Sequence, residues 1–194
     1  MITENKFLLV KSREVLKGKW ATVIGGFLIY ALITASVGSM GKIGSILSLI
    51  IAGPLALGIA NFSISIARSK EASIELIFEG FKRFTTALSA YLLMIVIVSL
   101  WTILLIIPGI IALLAYSMTF YILSDEQTLN ATDALNKSKL IMNGYKLKLF
   151  YLYVHFFLLA LLCILTLGIG FLWLIPYIHV TMALFYDDVK RANI

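Results

Sequence analysis

The chain has 194 residues, 61% of them hydrophobic and only 13% charged, with a mean hydropathy of +0.99 and a formal net charge of +6. Soluble domains carry about 45–50% apolar and about 25% charged residues, so a water-soluble globule of this length would lack polar surface. The basic residues flank apolar stretches instead of forming a domain of their own, which argues against a nucleic-acid partner.

In chain order, the charges fall in four clusters, 4–19, 68–83, 125–148 and 187–191. The stretches between them, 20–41, 43–67, 84–124 and 149–186, are uncharged, and only Lys42 interrupts the series. A charge at the bilayer centre costs about 2.5–3.5 kcal/mol even on the mildest scale, so this segregation marks a polytopic membrane protein. A spanning helix takes roughly 20 apolar residues. The first two stretches therefore suit one pass each and the last two suit a pair of helices with a tight turn. The expected fold is all-α: a membrane helical bundle of about six transmembrane helices in three hairpins, with short amphipathic helices on the cytoplasmic side. Transmembrane β-strands would alternate apolar and polar residues, whereas these runs are apolar on every face.

Every lysine and arginine except Lys42 lies on one side of this arrangement, and so do all ten acids. The positive-inside rule then places both termini in the cytoplasm. The first apolar stretch is followed by further spans and reads as a retained anchor, not a cleaved signal. The single cysteine, Cys163, lies inside a span as a packing residue.

An internal repeat is expected over approximately 1–67, 68–124 and 125–194 within one membrane domain, 1–194. Lys11-Ser12-Arg13 aligns with Lys137-Ser138-Lys139 at an offset of 126, and Gly18, Gly80 and Gly144 fall 62 and 64 residues apart. Each glycine closes a short charged segment. In the third segment Ala134, Leu135, Ser138, Ile141 and Met142 form one helical stripe, with Asn130 or Thr132 placed to cap it. Leu8, Leu9, Ser12, Val15 and Leu16 repeat the stripe in the first. Such helices lie in the headgroup plane or pack as connectors under the bundle. Glu71, Glu75 and Glu79 form an acidic face in the middle segment, with Lys82 and Arg83 nearby to compensate.

Each hairpin carries its own expected break or hinge: Gly53-Pro54, Pro108-Gly109, and Gly168 with Gly170. Proline suits a first helical turn, where its missing N–H goes unneeded. In the first hairpin, residues 43–52 read as an extra short or re-entrant helix before a kinked second span, or as part of that span.

The run Pro108-Gly109-Ile110-Ile111, followed by Tyr116-Ser117-Met118-Thr119-Phe120-Tyr121-Ile122-Leu123, resembles the DUF975 family of bacterial integral membrane proteins. So do Thr166-Leu167-Gly168-Ile169-Gly170-Phe171-Leu172-Trp173-Leu174-Ile175-Pro176-Tyr177 and Ala183-Leu184-Phe185-Tyr186-Asp187-Asp188. Leu16-Lys17-Gly18-Lys19-Trp20 and Gly53-Pro54-Leu55-Ala56-Leu57-Gly58 fit as well. The resemblance implies a six-helix protein of the bacterial cytoplasmic (inner) membrane, distantly similar to membrane domains attached to some glycerophosphodiester phosphodiesterases. It implies no catalytic residues.

Candidate chemistry is sparse. His155 and His179, with Asn61, are polar groups at membrane depth and so form a candidate intramembrane site. The plainer reading makes them interhelical hydrogen-bonding groups, along with Ser63 and Ser65. Metal-binding spacing, a nucleophile elbow and a phosphate loop are all absent from the sequence, so neither a cofactor nor a metal is expected. Trp20, Trp101 and Trp173 suit aromatic belts. The expected role is a non-enzymatic membrane-organising or accessory component that meets membrane lipids and a protein partner or second copy of itself. The alternative is a small transporter or channel with a polar path near Asn61, His155 and His179.

Overall fold

The computed structural model describes residues 3–70 and 73–193, and every regular element within them is helical. The first stripe forms α1 (Asn5–Leu16), which buries Leu8, Ser12 and Leu16 and half-buries Leu9 and Val15. Gly18 follows with φ +82, the left-handed conformation that ends a helix and turns the chain into α2 (Trp20–Gly38).

A two-residue turn leads into α3 (Gly41–Ala67), one continuous helix of 27 residues and about 40 Å. Residues 43–52 are thus no separate helix, and Gly53-Pro54 is no break. Pro54 stands in the helix interior, buried, instead of in a first turn. Apolar spans tolerate an interior proline because neighbouring segments pack around the freed backbone groups. Here Gly53 lies against the backbone of Ala87, and Gly80 lies against the Pro54 carbonyl.

The middle collar is shorter than the other two. It consists of α4 (Glu75–Phe78) and a 3-10 turn (Glu79–Arg83), and Glu71 lies outside the described residues. Gly80 falls inside that turn and does not end the collar. Next comes α5 (Phe84–Leu104). The outer break of this hairpin is at Leu105, with extended φ −159 and ψ 139, so Pro108 and Gly109 fall within the start of α6 (Ile106–Tyr116). Gly109 packs against Thr102 across the turn. The third apolar stretch, 84–124, then breaks again before α7 (Thr119–Asp125).

In the third segment Asn130 caps α8 (Ala131–Ile141) through its side-chain oxygen, which accepts from the Asp133 N–H. Gly144 repeats the φ of +82 before α9 (Lys146–Leu165). Leu167 and Gly168 take positive φ in the tip, and Gly170 caps α10 (Phe171–Ala192) with its backbone against Cys163.

Among the described residues, five helical segments are long and apolar enough to cross a membrane: 20–38, 41–67, 75–104, 106–125 and 146–165. The sixth expected pass corresponds to α10. Its 22 residues include Pro176 and His179 and end in a charged turn, so its apolar run is diluted.

The hairpins α2–α3, α5–α6/α7 and α9–α10 each touch the other two. The collars dock on a neighbouring hairpin: α4 and its 3-10 turn on α3, α8 on α5 to α7, and α1 chiefly on α10. Burial concentrates toward the charged end, where Ile66, Ile77, Leu123, Met142 and Tyr186 are fully enclosed. The opposite tips are bare, with Ile103 84% and Leu167 95% exposed. Large apolar surface of this kind marks contact with lipid or with another protein, and the long apolar helices beneath it favour lipid.

Candidate functional site

Asn61 on α3, His155 on α9 and His179 on α10 are each half-buried. Among the described residues, no hydrogen bond or ring contact joins any two of them. His179 packs its ring 5.0 Å from that of Phe27, and its backbone carbonyl accepts from the Tyr121 hydroxyl at 3.4 Å. His155 stacks edge-on against Phe156, and its Nε2 is buried without a hydrogen-bond partner, as is the Ser63 hydroxyl.

What the fold does assemble is an ionic lattice at the charged end. Arg68, just beyond α3, donates to Asp125 at 2.6 Å and makes a two-pronged contact with Asp187, at 2.7 and 3.3 Å. Asp125 also accepts from Lys190 at 2.7 Å and from the Tyr186 hydroxyl at 3.1 Å. Lys190 reaches on to Glu126, which holds Lys137 of α8 through both oxygens. A second knot joins Asp188 to Lys148 at 2.8 Å and to the backbone and hydroxyl of Thr3. Arg83 completes the end by donating to the carbonyls of Leu123 and Leu129 at the exit of α7. It does not compensate the acidic face, where Lys82 pairs with Glu79.

The electrostatics follow from these contacts. Hydrogen bonds to Asp125 and then Asp187 hold the Arg68 guanidinium above its ordinary pKa, against the pull of burial. The bond from Lys137 holds Glu126 below the usual carboxylate range. Burial alone would raise Asp188 and lower Lys190, but Lys148 and Thr3 outweigh it for the first, and Asp125 and Glu126 for the second. A cavity of about 470 Å³ opens beside the lattice, lined by Lys11, Arg68, Lys190 and Arg191 on its basic side.

Sequence reasoning treats these charges as topology signals, with the acids on the same side as the cations. A usable signal was nonetheless present. Arg68, Asp125 and Asp187 are each the first charged residue after an uncharged stretch, so the bilayer boundary holds them at one depth.

A second polar contact missed from the sequence is Ser138. It is wholly buried and fills the break between α6 and α7, donating to the Ala115 carbonyl at 2.8 Å and accepting from the Met118 N–H at 3.2 Å. Ser12, its counterpart on α1, is equally buried and accepts from the Thr181 hydroxyl of α10 at 2.9 Å. In both collars a serine on the apolar stripe satisfies polar groups of the span it docks on.

No curated protein and no solved structure matches the chain, so the likeness to phosphodiesterase-attached domains stays an expectation of the sequence alone. A family model, DUF975, described as a protein of unknown function, matches residues 102–193, from the end of α5 through α10, and over these residues the chain is similar to that family.

Proposed function

We propose that this protein is a non-enzymatic component of the bacterial cytoplasmic membrane, organising lipid or a protein partner around a rigid bundle. The observation that carries this reading is the saturation of the polar end. Asp125, Glu126, Asp187 and Asp188 are each committed to cations that tie helix ends together, so they serve as clamps. Cross-linking in native membranes tests the reading: it expects a reproducible protein partner or enriched lipid, and finding neither overturns it.

A small transporter is the second reading. The unpartnered His155 Nε2 and Ser63 hydroxyl, buried in apolar helices, favour it. Solute flux in reconstituted liposomes, abolished by Asn61→Leu or His179→Phe, is the result that would put this reading first.

We also infer that the chain makes six passes with both termini cytoplasmic, and that its three segments are copies of one unit. The shared φ of Gly18 and Gly144, the matching buried serines and the common docking of collar on neighbouring hairpin support the repeat. Cysteines introduced near residue 108 or 169 should label from outside intact cells, and those at 125–148 only after permeabilisation.

A further inference from the structure

We propose that two lateral grooves of the bundle each bind an anionic glycerophospholipid, with an acyl chain in the groove and the phosphate at its basic mouth. This rests on the lipid-organising reading above and gives it a site and a headgroup class. The first groove, about 370 Å³, runs between α9 and α10. Arg13 and Trp20 stand at one end, Leu162 and Cys163 line the trough, and Thr166 and Gly170 close it near the uncharged tip. Along α10 it extends from Tyr177 to Gly170, about 10 Å of helix. The second groove, about 190 Å³, lies beside α6, with Lys139 and Lys146 at its mouth and Trp101 and Ile111 on its walls.

The two mouths correspond residue for residue. Arg13 and Lys139 are 126 residues apart, and so are Trp20 and Lys146, the offset that aligns the first collar with the third. Two collars thus dock on different hairpins and bring the same two positions to the mouth of an apolar trough. The place in the middle segment that aligns with both Arg13 and Lys139, using the glycine offsets of 62 and 64, is Glu75, an acid.

Charge complementarity selects the occupant. Arg68, Lys137, Lys148 and Lys190 are neutralised by acids, whereas no acid pairs with Arg13, Lys139 or Lys146 among the described residues. Arg13 is exposed, its guanidinium 5.4 Å above the Tyr177 ring, and so keeps its donors free for an anion. A cation with free donors at the end of a trough of hydrocarbon and tryptophan suits a phosphate joined to an acyl chain. A polypeptide helix would fill the trough without using the cation, and a zwitterionic lipid would cancel much of its attraction.

The test is native mass spectrometry of the full chain in detergent, titrated with phosphatidylglycerol and with phosphatidylcholine of the same acyl chains. Two phosphatidylglycerol molecules should be retained per chain, in preference to phosphatidylcholine. Arg13→Gln should weaken one of them about fivefold, and Lys139→Gln with Lys146→Gln should weaken the other at least as much. Arg13→Lys should restore binding, and Cys163→Phe, which fills the first trough, should remove one lipid and spare the other. Circular dichroism confirms that each variant folds. Equal retention of both lipids, or a triple glutamine variant that binds phosphatidylglycerol like the parent, overturns the groove assignment and leaves lipid organisation standing. A co-purifying polypeptide that displaces phosphatidylglycerol overturns it too. Only the absence of retained lipid together with the absence of a cross-linked partner would remove the underlying reading as well.

Discussion

Arg68, Asp125 and Asp187 illustrate how a bilayer can position side chains that are far apart in sequence. Each follows a long uncharged stretch, and a charge cannot be drawn into the hydrocarbon, so all three stop at one level. Once at that level, opposite signs meet, and the Arg68 fork spans both acids. Removing one partner leaves the others half-buried and uncompensated, which is costlier than the net worth of the pair. Asp125→Asn should therefore destabilise the protein by about 2–3 kcal/mol, measured by denaturant unfolding in micelles. A loss no larger than that of an exposed pair such as Lys82–Glu79 would count against the lattice as a clamp.

Among the elements, the middle collar shows how packing can override a sequence pattern. Gly18 and Gly144 use their freedom at φ +82 to end α1 and to turn the chain beyond α8, as the glycine spacing suggested. Gly80 shares that spacing but serves close approach. A Cβ there would fall on the Pro54 carbonyl and 2.7 Å from the Gly58 backbone nitrogen. Backbone atoms cannot rotate aside, so Gly80→Ala should cost about 1–3 kcal/mol or more and loosen the contact between the 3-10 turn and α3. Gly18→Ala would strain a turn in open space instead. Thermal unfolding of the two variants separates these mechanisms, since a second substitution that makes room on α3 can relieve only the first. The stripes of α1 and α8 were legible because burial on one helical face leaves a 3.6-residue period. The break at 117–118 was not, because the serine that satisfies it lies twenty residues further on.

For the molecule as a whole, pH gives a reading of the charged end. Glu126 and Asp188 titrate below their ordinary values of 4.5 and 3.8. A carboxylate depressed by folding contributes stability that is present above its unfolded value and lost as pH falls through the folded one. Lys190 is raised above 10.5 and Arg68 above its ordinary value, so their contributions persist below those values and disappear only as pH rises past the folded ones. Stability should form a plateau from about pH 5 to about pH 10 and fall on the acid side. Melting temperature in detergent measured across this range is the check, and a rise on acidification would contradict the lattice.

Composition and charge order determined that this chain is helical, that it is embedded in lipid, and that its ions gather at one end, because the cost of a misplaced charge is local and needs no knowledge of neighbours. Tertiary structure alone decided which ions pair, that Pro54 sits within a continuous helix, and that Arg13 and Lys139 each overlook a groove. Those outcomes depend on which helix lies beside which. In a bilayer that choice rests on the fit of small surfaces and on a few hydrogen bonds, with no hydrophobic gradient between lipid and protein to write it into the residue pattern.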